Sequence, residues 1–484
     1  MTNVAPTTDP ERSRFSTALN GSRGHPSLRP QRRFTWIVVA VAALVTGTIV
    51  VSIASSTSRR SVPGTLPQPI RTDRTRPLST VALITSLEST LHTTPSDPTL
   101  LVSLGSAYVR RAFETADPAF YPLADKTLQS ALRLKPGAPE ILASEASLAL
   151  ARHQFADALE LADRALKVRP GYLPARIARV DALVELGNYD DAAVGVDALI
   201  EQHAGVSSYS RLSYIRQLRG DLPGAVLAMR QAVSSAPDGS VDRGVASAYL
   251  GDVLLESGRV DAAMRAYEMA LAASPGLPNA ILGSAHVDAA RGHNVDAIQR
   301  IEALTARVPL PGALGYLADL ARLVHDSRGI VNADQLVDAS VALFRANGAV
   351  VDAELAVLLA DRESTGEPDS GVAVGAAFDA ATRAYAERHT MFTEDAMAWS
   401  LFRAGRIAEA LPYARRAVST SPGVSSLRWH AARIFAAAGE RTLARIQLTA
   451  AMRNPWFAPS QKPNMDRLAA ELGGSRRVDR IWDR

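Results

Sequence analysis

The chain has 484 residues, of which 47% are hydrophobic, with 53 Lys and Arg against 49 Asp and Glu. Ordinary Gly and Pro contents exclude a collagen-like or wholly disordered chain, and the absence of cysteine excludes disulfide frameworks, thiolate metal sites and cysteine nucleophiles. Six arginines against Asp9 and Glu11 in residues 1–33, and five against Asp73 in residues 55–80, account for more than the whole net charge of +4, so residues 81–484 are net acidic and no nucleic-acid partner is expected.

Residues 1–33 form a basic, polar tail. Residues 34–54 (FTWIVVAVAALVTGTIVVSIA) carry no charge, and as a helix they would cover roughly 30 Å, the thickness of a bilayer's hydrocarbon core. They are expected to be a transmembrane helix, with Trp36 at the headgroup level. Cleavage as a signal peptide after Ser52-Ile53-Ala54 is the rival reading, although the run exceeds the usual apolar core of about 7 to 15 residues. Arginines flank both ends, so the positive-inside rule barely discriminates; the short tail is placed in the cytoplasm and the C-terminal domain outside it. Residues 55–80, with Pro63, Pro67, Pro69 and Pro77, are an extended linker.

From residue 97 onward the pattern is helical and regularly punctuated. Turn glycines stand at 187, 220, 258, 292, 405 and 439, spaced by 33, 38, 34, 113 and 34 residues. An alanine follows each by five positions (Ala192, Ala225, Ala263, Ala297, Ala410, Ala444), and prolines close units at Pro136, Pro170, Pro237, Pro275, Pro309 and Pro422. Glycine permits the sharp reversal after a first helix, and alanine lets the second approach it closely.

This pattern resembles the tetratricopeptide repeat, most clearly in residues 247–275, where Leu250-Gly251, Leu254, Gly258, Ala263, Tyr267, Ala270 and Pro275 occupy the consensus positions. Together with residues 34–54, the chain looks like a bacterial membrane-anchored protein of that family. The fold class that the resemblance implies is all-α, a right-handed superhelical solenoid of helical hairpins. Repeats are expected over 81–309 and 391–456, with degenerate hairpins over 310–390 and a capping helix and tail over 457–484. The degenerate stretch holds four predicted helices, at 312–326, 333–346, 350–363 and 371–389. Residues 362–371 are expected to be a mobile tip, and an insertion that is RRAFETADPAFYP (110–122) or part of it an exposed loop. His153 replaces the turn glycine of one unit.

No HExxH, GxSxG or P-loop motif is present, so no catalytic residue, cofactor or metal is assigned, and the chain is not expected to be an enzyme. His286, Asp288, His293 and Asp296 are the densest metal-like group, but they span a helix, a turn and the next helix and would not share one face. An enzyme with its site in 310–390 is the remotest alternative.

The family resemblance implies that first helices line a concave, peptide-binding groove. Counted from the turn glycine, one row reads Ser147, Asp181, Tyr214, Asp252, His286, Trp399 and Arg433, and a neighbouring row Ala151, Glu185, Leu218, Glu256, Ala290, Arg403 and Ala437. The pairs Asp181 with Glu185 and Asp252 with Glu256 stand four apart on one helical face, which suits a partner segment with a basic stretch. Tyr214, Trp399 and Trp429 are candidate anchors for apolar side chains, as aromatic hot spots are. The expected function is therefore a membrane-anchored scaffold for a protein or peptide partner, with a self-associating structural protein of the cell envelope as the alternative.

Overall fold

The computed structural model describes residues 79–362 and 370–473. The basic tail, the apolar run 34–54, the Pro/Arg linker, most of the 362–371 tip and the final tail lie outside the described residues. Among the described residues no helix is long and apolar enough to cross a membrane, and the structure there is all-helical, without strands.

A single helix, α1 (Thr80–Thr93), leads into hairpins that follow one another in chain order. They are α2 (Pro98–Thr115) with α3 (Phe120–Leu134), α4 (Pro139–Ala151) with α5 (Phe155–Val168), α6 (Leu173–Glu185) with α7 (Tyr189–His203), and α8 (Val206–Leu218) with α9 (Leu222–Ser235). Next come α10 (Val241–Glu256) with α11 (Val260–Ala273), α12 (Pro278–Ala290) with α13 (Asn294–Thr305), and α14 (Pro311–Leu323) with α15 (Ser327–Ala346). The array continues with α16 (Asp352–Asp361) and α17 (Ser370–Glu387), α18 (Met391–Arg403) and α19 (Ile407–Ala417), α20 (Ser425–Ala437) and α21 (Arg441–Ala451). After two single 3₁₀ turns the described chain ends in α22 (Lys462–Glu471). Four helices thus occupy the stretch without a glycine register, α14 to α17.

The two helices of each hairpin do different work. Second helices are amphipathic: α5 buries Phe155, Ala158, Ala162 and Ala165, one stripe at helical spacing. First helices are buried nearly all round, as in α12, where Leu282, Ala285, Val287 and Ala289 point to different sides. They form the inner layer and the second helices the outer one. Where the layers cross, the alanines at 192, 225, 263, 297, 410 and 444 are all fully buried. The turn glycines at 187, 220, 258, 292, 405 and 439 all have positive φ, which only glycine adopts at little steric cost. His153 holds the same left-handed conformation at φ 61°, which costs about 1–2 kcal/mol.

Contacts between residues about 200 apart show what offsets that cost: the array coils back on itself. His153 Nδ1 lies 2.8 Å from the carbonyl oxygen of Val350, whose own N–H donates to Arg152 O at 2.9 Å. One repeat further on, Arg388 reaches Glu185 at 2.9 Å, and the Met391 N–H donates to the Tyr189 hydroxyl at 3.3 Å. A repeat later the Gly423 N–H donates to Gln217 O at 2.8 Å and Thr420 Oγ1 to Leu218 O at 3.0 Å. Met391 and Leu427 join the apolar cluster of Ile177, Val180, Ile215 and Leu218. The loops of the second circuit therefore rest on the hairpin tips of the first.

The insertion at 110–122 is not the expected exposed loop. Residues 98–115 are one helix and 120–134 the next, leaving only four residues between them. The long α2 carries Arg110 to Asp242 at 3.3 Å and packs Phe113 against the cluster of α9 to α11, while Ala112 and Tyr121 are buried. Those cross-coil contacts make the extra turn of helix worth forming.

Two stability measurements follow. Ala263→Leu overpacks a helix crossing and is expected to cost about 1–3 kcal/mol; an unchanged thermal melt would refute the register. Gly187→Ala and Gly292→Ala both place alanine at positive φ, but a Cβ at 187 would sit 2.5 Å from the His389 carbonyl oxygen, whereas one at 292 meets nothing within 4 Å. In chemical denaturation Gly187→Ala is expected to lose at least about 1 kcal/mol more than Gly292→Ala; equal losses would mean that the two circuits do not touch there.

Candidate functional site

The coil surrounds a partly open axial cavity of about 1330 Å³ whose wall is built from the inner helices α2, α4, α6, α8, α10 and α12 and narrowed by segments of the second circuit. Side chains of Val102, Val109, Ile177, Val245 and Leu282 give it an apolar surface, completed from the second circuit by Val357, Leu427 and Phe457. Asp181, Glu185, Tyr214, Asp252, Glu256 and His286 line it, whereas Leu218 and Ala290 of the second predicted row do not.

Their electrostatic circumstances differ sharply. Asp181, only 2% exposed, takes a bidentate contact from Arg211, with Nε at 2.7 Å and Nη2 at 2.5 Å. Glu185 takes Arg388, whose guanidinium also lies 4.4 Å from the Phe155 ring centre. This first pair of carboxylates is committed to internal arginines, because neither charge could be buried uncompensated.

The second pair has no such cation. Asp252 Oδ1 accepts from the Tyr267 hydroxyl at 2.7 Å, and Glu256 Oε2 accepts from Ser425 Oγ at 2.7 Å. Burial pushes both carboxyls up to about 7. Tyr267 belongs to the outer helix α11 and reaches the inner wall through a notch where Gly251 and Gly283 leave no room for a side chain. His286 is held down to about 4 by burial and lies edge-on to Tyr316 at 4.1 Å. Tyr214 is buried in the wall, its hydroxyl raised well above the ordinary value by burial.

Trp399, Arg403, Trp429 and Arg433 are placed elsewhere. Trp399 (4% exposed) donates its indole N–H to Asp361 at 2.7 Å and stacks on His430 at 4.1 Å, and Trp429 (1% exposed) is core. Arg403 lies over the Trp399 ring, and Arg433 over Trp429 and Phe402. The two indoles, expected as surface anchors, serve interior packing, because α16, α18 and α20 of the second circuit pack against one another around them.

Three wall residues escaped the sequence reading. Tyr249 stands three residues before Asp252, hence on its face of α10; it is 6% exposed and its hydroxyl has no protein partner. Its position relative to Gly258 was available as a signal. Glu354 lies in the stretch without a glycine register; Oε1 has no protein partner, and burial pushes its carboxyl up to about 8, against a bond from the Gly312 N–H. Arg388 comes from the second circuit and nothing local marks it.

Among the described residues no group of three or more metal-ligating side chains could hold an ion. Of the metal-like group, Asp288 pairs with Arg300 at 2.8 Å, while His286 faces the cavity. The wall is apolar surface broken by carboxyls and by the Tyr249 hydroxyl.

The raised acid of Glu354 has a thermodynamic consequence. A carboxyl whose folded value is about 8 against an ordinary 4.5 favours the folded state at low pH, and that contribution is lost as pH rises between the two values. Glu354→Gln is therefore expected to melt a few degrees above the parent at pH 9 and close to it at pH 5, as scanning calorimetry can test; an equal shift at both pH values would contradict the assignment.

Profiles of the tetratricopeptide repeat match residues 149–213 and 254–320, and a second such profile matches 219–278 and 396–459. No curated protein matches the chain. Among solved structures, a human IFIT1 dimer with PPP-AAAA is 13% identical, over 70% of this chain and 77% of that one, with a TM-score of 0.42. A tetratricopeptide repeat protein from Parabacteroides merdae is 12% identical over 69% of this chain and 98% of that one, TM-score 0.29. The APC/C hetero-tetramer Cut9-Hcn1 is 14% identical over 81% and 93%, TM-score 0.30. The all-helical hairpin array described above thus contains tetratricopeptide repeats in both of its circuits.

Proposed function

We propose that this chain is a bacterial membrane-anchored scaffold that binds a protein or peptide segment in its axial channel. The observation that carries the reading is the convergence of six successive inner helices on one largely apolar space of about 1330 Å³. That exceeds the roughly 300–1,000 Å³ typical of small-molecule pockets. Tetratricopeptide repeats support a protein-interaction scaffold in general, and the charge-free residues 34–54 support the anchor. Anchoring confines the channel near the membrane and raises the effective concentration of a partner held there. The repeat domain lies outside the cytoplasm in this proposal, and no reaction is part of it.

Photo-crosslinking in cells tests the reading. A photoreactive residue at Val102 or Val245, inside the channel, is expected to yield a discrete protein adduct in the alkali-resistant membrane fraction. One at Val194, 70% exposed on the outer layer, is expected to yield none. Equal labelling from inside and outside would remove the channel as the binding surface, and recovery of the chain in the alkali-soluble fraction would remove the anchor.

A further inference from the structure

Resting on the peptide-binding reading, we propose that the inner face of α10 seats one cationic side chain, lysine or arginine, of the bound peptide, with Asp252 and Glu256 as its counter-charges and the Tyr249 hydroxyl as an additional acceptor. Tyr249, Asp252 and Glu256 follow at three- and four-residue intervals, so they share one face, and side chains four apart are close enough for a single ammonium or guanidinium to touch both carboxyls. All three line the cavity.

The structure separates this pair from the other carboxylates of the wall. Asp181 and Glu185 already hold Arg211 and Arg388, and Asp242 holds Arg110. No arginine or lysine among the described residues pairs with Asp252 or Glu256; their partners are neutral donors, the Tyr267 hydroxyl for Asp252, and the Ser425 hydroxyl and N–H with the Asn454 side chain for Glu256. The Tyr249 hydroxyl is a second and independent sign of a polar guest: it is buried with no protein partner, and among charged groups Asp252 acts on it most strongly. Because only one helical turn is available, the guest carries a single cation there, not a basic run, with apolar neighbours against the surrounding wall. The volume of the space favours a peptide over a simple amine.

Proton release accompanies the binding. Asp252 and Glu256, pushed up to about 7 by burial, are largely protonated at pH 6, and a seated cation returns them to the ionised form. Occupancy is therefore expected to rise with pH through 7. The other charged or titratable groups facing α10 or the same cavity are Asp242 at its N-terminal end with Arg110 and Glu114 of α2, Tyr267 from α11, His286 from α12, the Asp181–Arg211 pair from α6 and α8, Glu354 of α16, and the Asp395–His430 pair of α18 and α20. Of these, Tyr267 is raised and His286 lowered out of the pH 6–8 window. His430 is raised by Asp395 and would repel a cation at low pH in the same direction, so the assignment to α10 rests on the variants.

The test presents the full-length chain, in lipid nanodiscs, with three pools of nonapeptides randomised around a central lysine, arginine or norleucine, and quantifies retained peptides by mass spectrometry. At pH 8 the lysine and arginine pools are expected to be retained about tenfold over norleucine, and at pH 6 that preference falls by about tenfold. Asp252→Asn/Glu256→Gln abolishes the preference of the basic pools over norleucine. Tyr249→Phe, which keeps the ring's packing, lowers the preference about threefold. Equal retention of the three pools, or a preference that survives the double variant, overturns the cation seat and leaves peptide binding standing. Retention of no pool overturns both. Displacement of the basic pools by octylamine as effectively as by a retained peptide overturns the peptide as the source of the cation.

Discussion

Two carbonyl oxygens, of His389 and Ser421, occupy the space that side chains at positions 187 and 220 would need. The glycines that reverse these hairpins also strip their tips to bare backbone, and bare backbone is what lets the second circuit approach closely enough for direct peptide hydrogen bonds such as Gly423 to Gln217. Loop amides buried there must find partners, and the first circuit's helix ends, with their free carbonyls, supply them. His153 shows the constraint from the other side: it accepts an unfavourable backbone conformation at a tip where its ring, stacked on Phe155 at 5.4 Å, meets the Val350 carbonyl.

Closure changes what the inner layer is. In an open array the first helices would line a solvated groove, and acids at i and i+4 would remain ordinary surface carboxylates. Here the same face is walled off, and burial in a low-dielectric interior favours either a partner of opposite charge or the neutral form. Two equivalent pairs, one in α6 and one in α10, take the two different solutions. Asp181 and Glu185 are paired with arginines from α8 and from the loop before α18, whereas Asp252 and Glu256 have only neutral donors, and burial pushes both carboxyls up to about 7. The two layers meet at this point through Tyr267, which the missing side chains of Gly251 and Gly283 admit from the outer helix to the channel wall.

The hairpins were legible in the chain because their causes are local and periodic. A glycine with positive φ, an alanine five residues on and a proline at the unit's end are relations within about 34 residues, and the fully buried Ala263 and Ala297 occupy the crossings that this phase assigns. The inner-wall register followed from the same count, which placed Asp181, Tyr214, Asp252 and His286 on the cavity. Tyr249 was readable by that count as well, three residues before Asp252, but a tyrosine among apolar neighbours carries no mark of an unpaired hydroxyl.

Nothing local or periodic encodes the seam or the helical extension at Arg110–Thr115, because each depends on contacts between segments far apart in the chain, about 200 residues apart at the seam. Helix type, hairpin order and the inward face are properties of neighbouring residues, so they can be deduced from spacing alone. Whether an inward carboxyl stays charged, and whether an inner helix faces solvent or a closed channel, depends on which distant segment lies opposite. That is settled only when the coil returns and removes water from between its turns.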